Sequence, residues 1–284
     1  MNGLTTNAEA ITVANWLAQA RTQGLDRLDA QLLLGHQLRR NRAWLIAHDD
    51  AVLSAEDLAS LQGLLDQRLA GVPMAYLLGH KDFHGLELAV TPAVLVPRPD
   101  TEVLVDWALD VLSNPTNPTH PKVVDLGTGS GAIALAVRHR APQAVMHASD
   151  VRADALSVAQ GNGQRLNLPV EWRQGSWWSP WAGCRFDLAL SNPPYIDGDD
   201  VHLAALHAEP THALTPGPDG LADLRQIIEA APPHLNRGAW LMLEHGYQQG
   251  EAVRSLLRQA GFSQVTTRRD LGGQERCTAG LWTG

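Results

Sequence analysis

Apolar residues return every three or four positions from about Ala8 to Leu78, the period of one helix face. Leu28, Leu32 and Leu33 build one such stripe, and Leu61, Leu64, Leu65 and Leu69 another. Ser54-Ala55-Glu56-Asp57 reads as a capping box that opens the last long helix. The spacing predicts a small helical bundle over residues 1–80, held by its own leucine core. Past Lys81 the period falls to two, through Phe83, Leu86, Leu88 and Val90 and then Val94 to Val96. That pattern predicts a hairpin turning at Gly85, and residues 81–99 read as a β-hairpin linker. A helix over 101–112 follows, with Asp100 in place to cap it. Residues 113–121 hold three prolines, two asparagines and two threonines, a loop without evident chemistry.

From Lys122 onward strand and helix patterns alternate, which predicts a parallel sheet covered on both faces. Strands are expected over 123–126, 144–149, 170–174, 186–191 and 240–243, with a helix over 221–235. The chain ends with strands near Val265 and over 278–282, an antiparallel pair. Residues 100–284 therefore read as one Rossmann-like α/β domain.

Two stretches of that domain carry chemistry. In Asp125-Leu126-Gly127-Thr128-Gly129-Ser130-Gly131 a strand runs into a glycine-rich turn and then a helix. The G-x-G-x-G spacing with a preceding acid departs from the dinucleotide fingerprint and fits S-adenosylmethionine better than a pyrophosphate. Asp125 is placed to bear on the cationic methionine end, directly or through water. Nineteen residues after Gly131 a second strand ends in Asp150, whose carboxylate can grip both ribose hydroxyls. Singly, each acid reads equally as a helix cap and the glycines as a tight βα turn; the three in this order point to the cofactor. After the third strand comes Gly175-Ser176-Trp177-Trp178. Trp177 offers a ring to the adenine, with simple packing as the competing reading for both tryptophans.

The other stretch is Asn192-Pro193-Pro194-Tyr195, just past a buried strand, at the sheet edge where α/β proteins bind ligands. An amide nitrogen is a poor nucleophile, so alkylating one requires holding its NH2 group and aiming the lone pair. The Asn192 side-chain oxygen can accept one N–H and the Pro193 carbonyl the other. Consecutive prolines stiffen the loop and remove donors, and Tyr195 offers a ring face to a planar amide or base.

Composition narrows the partners. Net charge is −8, with six Lys/Arg against eight Asp/Glu in residues 1–80 and sixteen against twenty-two in the rest. Neither part has the basic excess of a protein that grips duplex phosphates, so direct nucleic-acid binding is not expected. There is no signal-peptide pattern and no apolar run long enough to span a bilayer, so the expectation is a cytoplasmic protein with no membrane partner. Cys184 and Cys277 form no disulfide framework or metal spacing, and His80 and His84 read as surface or packing residues, so no metal is expected. Monomer is the default.

The chain is similar over nearly all its length to the release-factor glutamine N5-methyltransferases of the PrmC/HemK family. The matching residues are Leu95-Val96-Pro97-Arg98-Pro99-Asp100-Thr101-Glu102, the Asp125–Gly131 loop, Ser191 to Ile196, Glu209-Pro210 and Leu243-Glu244-His245-Gly246. The Asn-Pro-Pro-Tyr tetrapeptide is shared with adenine N6-methyltransferases and specifies a reaction type; the Pro-Arg-Pro-Asp-Thr-Glu segment is the restrictive one. The resemblance implies a class I S-adenosylmethionine-dependent methyltransferase sheet behind a substrate-recognising helical bundle. It implies as substrate the glutamine of the Gly-Gly-Gln motif in class I peptide chain release factors. Asn192, Pro193 and Tyr195 would be catalytic, and Asp125, Gly127, Thr128, Gly129, Ser130, Gly131, Asp150, Trp177 and Asn192 would hold the cofactor. Asn192, Pro193, Pro194, Tyr195 and Arg98 would meet the substrate, Arg98 with pairing to a surface acid as its competing role. The chain departs from the family at Ser176, where an acid usually takes the adenine amino group, and at His207, where an arginine is common. Asp197, Asp199 and Asp200 read as a solvated loop, and Gly272-Gly273-Gln274 as a turn whose match to the substrate motif is coincidental. Two rival readings stand beside this one: an adenine N6-methyltransferase acting on nucleic acid, and an inactive cofactor-binding scaffold.

Overall fold

The computed structural model describes residues 10–115, 117–199, 203, 206–216 and 219–284. The expected helix start at Ala8 and the acidic Asp200 lie outside the described residues. The chain divides into two compact units, the first ending at Leu78 and the second running from Gly79.

The first unit contains helices α1 (Val13–Thr22), α2 (Arg27–Leu38), α3 (Arg42–Ala47), α4 (Ala55–Leu69) and α5 (Met74–Leu78). Polar residues start four of them. Thr12, Asp26, Asn41 and Ser54 accept N–H bonds from Asn15, Leu28, Trp44 and Asp57. Asp57 in turn accepts the Ser54 hydroxyl at 2.7 Å, where a full capping box would have it accept the Ser54 backbone N–H. The core holds Trp16, Leu33, Leu34, Leu45, Leu61 and Leu65. Leu28, Leu32 and Leu69 are exposed instead, a correction to the leucine stripes read from spacing. At about 100° per residue, Ala30, Leu33 and Leu34 share the inner face of α2, and Leu28 sits roughly 140° away from Leu33.

The second unit opens with a hairpin, β1 (His80–Phe83) and β2 (Leu86–Ala89), turned by His84 and Gly85, both at positive φ. Read as a linker, this hairpin is built into the second unit. Phe83, Leu86 and Leu88 join its core, and the buried Asn162 amide bonds both the N–H and the C=O of Ala89. Helix α6 (Glu102–Leu112) follows a short 3-10 turn over Pro99–Thr101. Asp100 does not cap it; its carboxylate pairs with Arg276 at 3.3 Å.

The sheet strands are β3 (Lys122–Leu126), β4 (Val145–Asp150), β5 (Glu171–Gln174), β6 (Phe186–Ser191), β7 (Leu235–Glu244), β8 (Ser263–Arg269) and β9 (Glu275–Leu281). Among the described residues they form one sheet of order β5-β4-β3-β6-β7-β9-β8, parallel through β7 and antiparallel in the last pair. Successive side chains alternate between its faces. Val123, Leu188, Leu190 and Met242 pack with α6 and α7 (Ala132–Arg140), and α8 (Ala153–Arg165) lies against β4 and β5. Val124, Leu126, Ala189, Leu241 and Leu243 pack with α9 (Ala222–Ala230) and α10 (Gly250–Gln259). Helix α9 ends earlier and β7 begins earlier than the apolar pattern predicts. Pro232 and Pro233 cannot continue the helix, and Leu235 pairs with Phe186. No helix among the described residues is long and apolar enough to cross a membrane.

Candidate active site

The chain leaves β3 toward β4 and β5 on one side and returns to β6 on the other, so the switch point lies between β3 and β6. Leu126 is in register with Ser191. The glycine turn and Asn192 therefore emerge side by side at the carboxyl edge of the sheet, where such folds bind ligands.

A cavity of about 380 Å³ opens there, within the usual size of a small-molecule site. Its walls include Gly127, Thr128, Gly129, Ser130, Asp150, Trp177, Asn192, Pro194 and Arg98. The structure thus brings most of the sequence-predicted residues around one space. Asp125, Gly131, Pro193 and Tyr195 are not among its walls. Asp125 is fully buried, its carboxyl pushed up to about 7 by that burial, and it accepts the Thr128 hydroxyl at 2.6 Å. It shapes the turn from beneath. Gly131, at φ +84°, starts helix α7.

Asp150 organises the turn from the side. One of its oxygens accepts the Gly129 N–H and the other the Arg152 N–H, each at 2.9 Å. A carboxylate oxygen has two lone pairs, so each keeps one for a further donor such as a ribose hydroxyl. Burial raises the Asp150 pKa against the opposing pull of those N–H groups. Gly127 admits no side chain. At φ +73° an added Cβ would lie 2.8 Å from the Trp177 ring, which closes over the turn. Trp178 faces inward, 4% exposed, and donates to the Ile227 carbonyl, so packing is its role.

Arg98 pairs with Glu209, which is buried and not the surface acid expected, and Glu209 also accepts the Val96 N–H at 3.2 Å. One carboxylate thereby holds both the Arg98 side chain and the backbone just before Pro97. In the loop after Tyr195, Asp197 accepts the Asp199 N–H at 2.9 Å. His207 is exposed.

Tyr195 donates its hydroxyl to Glu244 at 3.1 Å. Burial holds the tyrosine pKa well above its usual value and pushes Glu244 up to about 7. Sequence reasoning gave no site role to Thr101, Asp223 or Gln226, which line the same cavity. Asp223 lies in the first turn of α9, 46 residues beyond Trp177, yet the two share the cavity wall, and burial shifts the Asp223 pKa upward against the opposing influence of Trp177. Nothing local in the sequence announces that contact.

Comparison with known proteins bears on this geometry. Residues 12–79 match the PrmC N-terminal domain, and residues 103–217 the methyltransferase small domain. A release factor glutamine methyltransferase from Bordetella pertussis is 50% identical over 90% of this chain and 95% of its own length. A protein of the same description from Xylella fastidiosa is 46% identical over 94% and 98%. The T. thermophilus 16S rRNA N2 G1207 methyltransferase, solved with AdoMet and guanosine, superposes with a TM-score of 0.51 at 17% identity. It covers 72% of this chain and 49% of that one, a likeness of fold.

Proposed function

The chain belongs to the release factor glutamine methyltransferase family, and from that premise we propose that Asn192 and the Pro193 carbonyl hold the side-chain amide of a release-factor glutamine while its N5 nitrogen is methylated. The observation that carries this is the placement of Asn192 on the cavity wall beside the glycine turn and Asp150. When bound, S-adenosylmethionine supplies an electrophilic methyl on a sulfonium that leaves as a neutral thioether, so no protein nucleophile is needed. The residues present fit that group. Asp150 keeps a lone pair on each oxygen for the ribose, the Cβ position at Gly129 is open, and the Trp177 ring packed over Gly127 lines the cavity for a nucleoside to meet. On the substrate side, the Asn192 oxygen and the Pro193 carbonyl take both amide N–H bonds and fix the nitrogen. The methylated nitrogen is acidic enough to release its proton to water.

Adenine recognition passes from Ser176 to Asp223 in this reading, because Asp223 is the carboxylate beside Trp177 on the cavity wall. Wild-type protein should bind S-adenosylhomocysteine roughly tenfold tighter than its inosine analogue, which lacks the 6-amino donor. Asp223→Ala should abolish that preference, as read by calorimetry; an undiminished preference would reject the assignment.

The helical unit recognises the protein substrate, and the enzyme works in the cytoplasm as a monomer without nucleic acid. Methyl-labelled S-adenosylmethionine, a class I release factor, its isolated Gly-Gly-Gln loop peptide and duplex DNA test the whole reading in one assay. Label on one glutamine of the intact factor, little on the peptide and none in DNA is the expected outcome. Label in DNA would favour the adenine chemistry, and cofactor binding without any label would favour a scaffold.

A further inference from the structure

A glutamine side chain has one acceptor oxygen and two N–H donors, and Gln249 uses all three on backbone groups. Its Oε1 accepts the Gly246 N–H at 2.9 Å, and its Nε2 donates to the Tyr195 carbonyl at 3.0 Å and the Gly220 carbonyl at 3.2 Å. A backbone N–H can only donate and a carbonyl can only accept, so these partners fix which way the amide points. Two glycines make room for it. A Cβ at Gly220, where φ is +61°, would lie 2.7 Å from Gln249 Nε2, and one at Gly246 would lie 3.1 Å from Oε1. Gly246 closes the Leu243-Glu244-His245-Gly246 motif, which spacing left without a role. Gln249 stands at the start of α10 yet makes no side-chain capping bond there, so its amide is spent on distant carbonyls instead.

These bonds join parts of the site that the chain keeps far apart. Tyr195 ends the loop whose Asn192 and Pro194 line the cavity, and Gly220 leads into α9, whose Asp223 and Gln226 line it as well. We infer that Gln249 is a positioning residue that holds the Asn192–Tyr195 loop at a fixed distance from the α9 wall, so that the substrate amide meets the cofactor side in one orientation. This deepens the role given to Asn192 above and rests on it. The α9 end of the tie is a firm anchor, because Leu224, Ile227 and Ile228 are wholly buried. The loop end is less provided for, since Pro193 and Pro194 have no N–H to bond. Tyr195 is instead held at both its ends, the hydroxyl by Glu244 and the carbonyl by Gln249. Without the second bond the tyrosine can pivot about its ring, and the backbone that carries Asn192 moves with it. A displacement of about 1 Å at a reacting centre can cost on the order of 100-fold in rate.

Single-turnover methylation of an intact class I release factor at saturating S-adenosylmethionine, with cofactor calorimetry, tests this on Gln249→Glu and Gln249→Met, with Asn192→Ala in parallel. Glutamate keeps the length and the acceptor for Gly246, but it gives up both donors and sets an oxygen against the two carbonyls. Methionine keeps the length and loses all three bonds. Each variant should lower the rate on the order of 10–100-fold, while the dissociation constant for the cofactor changes by less than about threefold, because the glycine turn and Asp150 are untouched. A residue that merely closed the turn into α10 would tolerate glutamate, so a wild-type rate in Gln249→Glu would overturn the proposal. Cofactor affinity that falls in step with the rate would mark a general loosening of the fold and overturn it too. Should Gln249→Glu fail to fold, Gln249→Met decides, and a wild-type rate there is equally fatal. Full activity in Asn192→Ala would instead remove the reading on which the proposal stands.

Discussion

Asn192→Ala is expected to lower kcat on the order of 10²–10³-fold, the usual cost of deleting one group aimed at the reacting centre, while the affinity for S-adenosylmethionine changes by less than about threefold. The asymmetry follows from the geometry. Asn192 stands at the cavity wall on the β6 side, while the groups assigned to the ribose and the glycine turn, Gly127 to Gly131 and Asp150, sit on the β3 and β4 side. Removing the carboxamide leaves that side intact, since Asp150 still holds Gly129 and Arg152. What disappears is an acceptor that fixes the glutamine amide, and an amide that rotates freely seldom points its nitrogen lone pair at the methyl carbon. Single-turnover methylation of a release factor, with calorimetry of cofactor binding, separates the two effects. Weaker cofactor binding with an unimpaired chemical step would refute the assignment.

The sequence showed this division of labour because each half lies in one short run of residues. A strand, a glycine turn and an acid at the end of the next strand are contiguous features, and so is Asn192-Pro193-Pro194-Tyr195. Their physical origins, positive φ at glycine and fixed φ at proline, are local. The parallel sheet and its antiparallel end were legible for the same reason, from runs of apolar residues. The rest depended on contacts between distant segments. Glu209 meets Arg98 across 111 residues, and Thr101 meets Asn192 across 91. Asp125, which spacing placed next to the cofactor, is buried beneath the turn; one of its oxygens takes the Thr128 hydroxyl, and the other has no hydrogen-bond partner among the described residues. Tyr195 reads as a ring for the substrate, and its hydroxyl bond to Glu244, 49 residues away, is a further contact that the tetrapeptide does not show. Leu28 and Leu32 show the other limit: a leucine at helical spacing is still exposed when neighbouring residues claim the inner face.

Asp150→Ala should produce the converse of the Asn192 result, raising the dissociation constant for S-adenosylmethionine about 100-fold. Hydrogen bonds to a charged group contribute about 1.5–3 kcal/mol each, and two to the ribose would reach 100-fold even at the low end of that range. The turn adds to the loss, because Gly129 and Arg152 surrender the carboxylate that fixes their N–H groups. Stability should not follow affinity. Burial raises the Asp150 pKa, so the folded state favours the protonated acid. Its contribution is therefore most favourable below the pKa of an unfolded aspartate and is lost as pH rises through the higher folded value. At neutral pH the wild-type carboxylate is a strain on the apo fold, and alanine removes it. The melting temperature of the cofactor-free variant should accordingly stay within about 3 °C of wild type or rise, and saturating cofactor should recover kcat. A variant that melts much earlier and stays slow at saturation would show that Asp150 holds the fold together and is not a grip for the cofactor.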